Sequence, residues 1–137
     1  MEHMSLKTLP DSMRPSATMK KILIVEDERL LGRMLAKTLK DCGYQVCAVL
    51  ASGEEAVAFA RKVRLDAIVM NVSLKGNLDG FEAASMIRKE HRTPIILLTC
   101  FRSEEDMDRA RKIKKSLMLD VFADPHTVPK ALEMAVA

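Results

Sequence analysis

At 137 residues, with 48% hydrophobic and 30% charged side chains, the chain has the makeup of one globular domain and not of a disordered, fibrous or disulfide-framework protein. A formal charge of +3 is too small to imply nucleic-acid binding by itself, and with no Trp and one Tyr there are few platforms on which bases could stack. No window approaches the roughly 18 unbroken apolar residues of a membrane span, and nothing near the start resembles a secretion signal, so a cytoplasmic protein is expected.

Residues 1–18 have no apolar period and contain two prolines with scattered Ser and Thr, which reads as a disordered leader. Four methionines fall within the first nineteen residues, so Met19 could be a natural start and part of the leader could come from an expression vector. The expected division is a leader over 1–18 and one domain over 19–137.

From Lys20 short apolar runs alternate with amphipathic stretches. The runs are KILIVE (21–26), YQVCAVL (44–50), DAIVMN (66–71), PIILLT (94–99) and, less clearly, LMLDVFA (117–123). Most are apolar without alternation, the pattern of strands buried on both faces of a parallel sheet. Between them, Leu30, Leu31, Met34, Leu35, Thr38 and Leu39 fall on one helical stripe that Cys42-Gly43 stops. Ser52 with Glu55 forms a capping box opening a helix whose Ala56, Val57, Phe59, Ala60 and Val63 face the core. Gly80 to Glu90 carries Phe81, Ala84, Met86 and Ile87. Ser103 followed by three acids starts a fourth helix running to about Lys115. Within it Glu105–Arg109 and Asp108–Lys112 stand at ion-pair spacing. Thr127 can cap a fifth helix, with Pro129 harmless in its first turn. The cysteines Cys42, Cys47 and Cys100 match no zinc spacing and read as small core-filling side chains in a reducing compartment.

Five strand–helix pairs in alternation imply right-handed crossovers on a doubly wound parallel sheet of the α/β class, flavodoxin-like (βα)5 with strand order 2-1-3-4-5. The ligand crevice of such a sheet lies beyond the carboxyl ends of its strands. Those ends carry Glu26-Asp27, Asn71, Thr99 and, before Pro125, Asp124.

ILIVEDE, AIVMNVSLKGNLDGFEA and PIILLT resemble the receiver domain of bacterial response regulators over residues 20–136. The resemblance implies a phosphorelay signalling module and not an enzyme. In that family an acidic pair and a strand-three aspartate hold Mg²⁺, and the aspartate accepts a phosphoryl group from a histidine kinase. A Thr or Ser on strand four follows that group inward, and a lysine before a proline on strand five neutralises it. Mapped onto this chain, the acidic pair is Glu26 and Asp27, the phosphoacceptor position is Asn71, the metal-binding carbonyl is that of Ser73, and the switch hydroxyl is Thr99. Phe122 offers the aromatic switch, and Asp124 stands at the lysine position; by spacing alone that position is Val121, again not a lysine.

Phosphoryl transfer needs an ionised oxygen nucleophile and a cation to balance charge on the equatorial oxygens. An amide oxygen is neutral and weakly nucleophilic, and Asn71 also takes one negative charge from a shell whose hard ion is held mainly by carboxylates. The expected protein is therefore an atypical receiver that signals by partner binding without phosphorylation at Asn71, with weakened Mg²⁺ binding. The alternative is an ordinary receiver carrying an introduced Asp-to-Asn change; loss of the lysine as well favours natural degeneracy. Three facing carboxylates (Glu26, Asp27, Asp124) would raise a pKa or recruit a metal. The resemblance implies a histidine kinase or an output domain as partner and a homodimer through the fourth helix, fifth strand and fifth helix. A flavodoxin-like cofactor carrier would need a phosphate loop after strand one, where EDERLLG repels anions. No helix-turn-helix signature supports direct DNA binding.

Overall fold

The computed structural model describes residues 19–100, 102–120 and 126–136. The expectations for 1–18 and for Val121, Phe122 and Asp124 lie outside them. In chain order the elements are β1 Lys21–Val25, α1 Arg29–Asp41, β2 Gln45–Leu50, α2 Gly53–Lys62, β3 Ala67–Asn71, α3 Gly80–Glu90, β4 Ile95–Thr99, α4 Glu104–Arg111, β5 Ser116–Asp120 and α5 Thr127–Ala135. All strand pairs are parallel and the order is β2-β1-β3-β4-β5, as the alternation predicts. No helix among the described residues is long and apolar enough to cross a membrane.

The unalternating runs are explained by where they sit. The three interior strands β1, β3 and β4 bury almost every residue, because helices cover both sheet faces. Leu23, Val25, Ile68, Met70, Ile95 and Leu97 pack toward α2 and α3. Ile22, Ile24, Val69, Ile96 and Leu98 pack toward α1 and α5. The edge strand β2 is only partly covered, and Val49 is exposed.

Several expectations need correction. The buried face of α1 is Gly32, Ala36 and Leu39, whereas Leu30 and Met34 are 71% and 58% exposed. A close approach sets this rotation: a Cβ on Gly32 would stand 2.9 Å from Val49 Cγ1, so a small residue meets the sheet there while Leu30 and Met34 turn outward. Helix α4 stops at Arg111, short of Lys115, whose φ of 55° is left-handed. Thr127 is not the cap of α5; His126 holds that position without a side-chain cap bond. Cys42 and Cys100 are exposed, and Cys47 is half-buried against the core. Ser52 does cap α2, its Oγ accepting from Glu55 N at 3.2 Å, but the reciprocal bond runs from Ser52 Oγ to Glu55 Oε1 instead of the cap N–H.

The predicted helix pairs on α4 are replaced by other partners. Arg109 reaches across to Asp79 at 2.8 Å and lies over the Phe81 ring at 4.5 Å, while Asp108 pairs with Arg111. Asp79 is itself the N-cap of α3, in a capping box with Glu82. Arg109 thus fixes α4 to the start of α3. Arg109→Ala is expected to cost about 1 kcal/mol, since pair and ring contact are only part-exposed; urea unfolding measures this, and Lys112→Ala should change nothing comparable.

Candidate functional site

The strand order sets the carboxyl end of β3 between those of β1 and β4. Val25 pairs with Met70 and Asn71 with Leu98, so Glu26, Asn71 and Thr99 end neighbouring strands. The backbone continues the sheet past these ends: Glu26 N donates to Leu50 O at 2.8 Å, and Val72 N to Leu98 O at 2.8 Å. Glu26 and Thr99 are both 3% exposed, the two buried polar residues of the described interior.

Asn71 Nδ2 donates to both Glu26 oxygens, Oε1 at 3.0 Å and Oε2 at 3.1 Å. On its other side Asn71 Oδ1 accepts from Ser73 N at 2.9 Å. These two demands fix the amide's orientation, because an N–H must face the carboxylate and an oxygen must face the Ser73 N–H. Glu26 Oε2 also accepts from Glu28 N at 3.0 Å, and Asp27 Oδ2 from Lys75 N at 3.2 Å. Among the described residues no lysine or arginine side chain pairs with Glu26 or Asp27. Neutral N–H groups supply the compensation instead.

The loop after β3 is held against this network. Gly76 has a φ of +104°, a left-handed turn that favours glycine, and Glu54 on α2 accepts from Leu78 N at 2.6 Å. Gly80 N donates to Val72 O at 2.9 Å, and a Cβ on Gly80 would stand 2.2 Å from Asn71 O. The start of α3 therefore sits directly on the backbone of Asn71.

Burial pushes the Glu26 carboxyl above its ordinary value, with Asp27 adding to the rise and the Glu28 N–H and Asn71 amide opposing it. The sequence led to carboxylate repulsion as the cause; loss of solvent comes first. Because the folded-state value is raised, the stability Glu26 contributes is full below the ordinary carboxylate range and is lost as pH rises through the raised value. Melting temperatures from about pH 4 to about pH 8 should fall more for the wild type than for Glu26→Gln. Parallel curves would contradict this.

Where the chain reaches Thr99, the residue opposite it on β5 is Asp120, half-buried. Sequence reasoning missed it, having carried the strand on to Asp124; the signal available was that LMLD ends an apolar run as AIVMN does. Glu54, Gly80 and Arg109 were also missed as supports of the site, since their partners lie 24 or more residues away or are backbone atoms.

The response regulator receiver domain model matches residues 22–130. The chain belongs to that family. The receiver is 32% identical over 131 residues to the transcriptional regulatory protein PdtaR of Mycobacterium tuberculosis, covering 95% of this chain and 63% of the relative, so it spans less than two thirds of that protein. Among solved structures, Vibrio cholerae chemotaxis protein CheY4 superposes with a TM-score of 0.78 at 32% identity, covering 86% of this chain and 99% of that one. The receiver domain of the Pseudomonas aeruginosa sensor histidine kinase PA1611, solved with magnesium in its active-site cleft, gives 0.78 at 29% identity, covering 87% and 98%.

The donor set at this crevice suits a hard cation in kind: two carboxylates and backbone carbonyls. Among the described residues no three His, Cys, Asp or Glu converge on one point. A divalent ion there would be held by the Glu26 and Asp27 carboxylates and would supply positive charge to an anion in the crevice.

Proposed function

We propose that this receiver passes signals by binding partners and is not phosphorylated at Asn71. The observation that carries the reading is the Asn71 amide, closed onto Glu26 and Ser73 through N–H and oxygen at about hydrogen-bond length. An acyl phosphate needs a carboxylate oxygen with a free lone pair to attack phosphorus. The amide offers no negative charge, and its weakly nucleophilic oxygen already accepts from Ser73 N. Thr99 then has no phosphoryl group to follow and serves as a buried strand-end hydroxyl. Mg²⁺ binding by Glu26, Asp27 and the Ser73 carbonyl is weaker than in receivers with three carboxylates, since a cation must displace the amide N–H groups from Glu26.

The partner is a histidine kinase, an output domain or protein, or a second copy. Helix α4 buries no residue, while Leu117 on β5 and Met134 on α5 are 50% and 82% exposed, which supports docking on the face these three elements form. Incubation with an autophosphorylated histidine kinase should move no label onto this chain, acid-labile or acid-stable; label on any crevice carboxylate would contradict the reading. The second reading, an introduced change in an ordinary receiver, is tested by the Asn71→Asp variant taken up in the Discussion.

A further inference from the structure

Among the described residues a cavity lies at the opposite pole of the sheet, at the amino ends of β3 and β4, where α2 and α3 run out. It is about 15 Å from Asn71 by strand length. Its volume of 580 Å³ lies in the range of small-ligand sites. Ala60, Val63, Leu65 and Pro94 form an apolar floor. Around it stand Arg61, Lys62, Arg64 and Arg92, against Asp66 as the lining carboxylate.

These charges are unequally committed. Arg61 is taken by Glu90, its Nε lying 2.9 and 3.3 Å from the two carboxylate oxygens, and Asp66 accepts from Lys21 N at 2.7 Å. Among the described residues Lys62, Arg64 and Arg92 pair with no carboxylate. A cation in the last turn of a helix complements the dipole, which accounts for Arg61 and Lys62. Arg64 and Arg92 lie beyond the last helical residues of α2 and α3, so the dipole does not explain them. His91, also in the lining, has a ring Nε2 shielded from solvent with no hydrogen-bond partner. The wall is fixed in place: the partly buried Arg88 guanidinium donates to the carbonyls of His91 and Thr93 at 2.7 Å each and of Lys114 at 2.6 Å.

We infer that this cavity binds a small ligand carrying clustered phosphates, of nucleoside-diphosphate size. Phosphate oxygens would meet Lys62, Arg64 and Arg92, with the apolar floor under the remainder of the ligand. The guanidinium fork suits phosphate geometry, and uncompensated cations around a preformed concavity concentrate anions. This site is independent of the Asn71 reading, since the two share no residue.

The test titrates pyrophosphate and ADP separately into the whole chain at about 0.1 M salt, following backbone amide shifts by NMR. Saturable shifts confined to residues 60–66 and 91–94 are expected with both probes, tighter for ADP. The Arg64→Ala/Arg92→Ala double variant should lose about tenfold or more in affinity. Lys89→Ala, an exposed cation outside the cavity, should bind as the wild type does. Absence of saturation by either probe at about 10 mM, or equal weakening by Lys89→Ala, would overturn the proposal. Both arginines are exposed, so a fold defect will not mask the result.

Discussion

Asn71→Asp is expected to make the stability of this receiver depend on divalent cation. The substitution replaces an N–H group bonded to both Glu26 oxygens with a second carboxylate facing them. Without metal it removes charge-assisted hydrogen bonds and sets like charges together beside a buried carboxylate, a loss of about 2 to 4 kcal/mol. Part of the loss should be recovered at low pH, where one proton shared by the pair relieves the repulsion. Adding Mg²⁺ in millimolar amounts should restore the unfolding midpoint of the variant while leaving the wild type nearly unchanged. Denaturant curves with chelator and with Mg²⁺ measure both effects. Equal stability of variant and wild type in chelator would show that the amide is not holding Glu26. Strong phosphorylation of the variant by a phosphodonor, without any lysine restored, would favour an introduced change at position 71 over natural loss.

Gly80→Ala should be more damaging although it adds one methyl group. Its Cβ would stand 2.2 Å from Asn71 O, 2.6 Å from Val72 Cα and 3.0 Å from Asn71 C, all backbone atoms that no rotamer change can move. Relief requires the start of α3 to lift from the end of β3, with loss of the Gly80 N–H bond to Val72 O and disturbance of the Asp79 capping box. The expected loss is about 3 kcal/mol or more, in the range of overpacking at a site that cannot relax. Gly76→Ala should cost less, about 1 kcal/mol, from its left-handed φ. If Gly80→Ala unfolds at the wild-type midpoint, the contact between α3 and Asn71 is not as close as described.

The fold was readable because burial on two faces leaves a plain mark. Runs such as ILIV and IILL carry no alternation, and β1 and β4 are interior strands packed by helices on both sides. Helix α1 was misread in part, for the complementary reason: Leu35 and Leu39 pack on the core as expected, but Leu30 and Met34 do not. Hydrophobic size suggested Leu30 and Met34 as core, yet the sheet comes so near at Gly32 that a small residue is what fits there. Local pattern also placed the ends of the crevice strands, Glu26, Asn71 and Thr99. It could not supply the direction in which the Asn71 amide points, because that depends on the Ser73 N–H and on Glu26, 45 residues away in the chain. Nor could it find Arg109 on Asp79 or Arg88 on four carbonyls, contacts made only once the helices are packed.

Intact-mass measurement after incubation with acetyl phosphate and Mg²⁺ addresses the central claim most directly. The wild-type chain should keep its mass, with Asn71 unmodified in the peptide spanning β3. A gain of about 80 Da, one phosphoryl group, mapped to Asn71 or to Glu26 or Asp27 beside it would contradict the account.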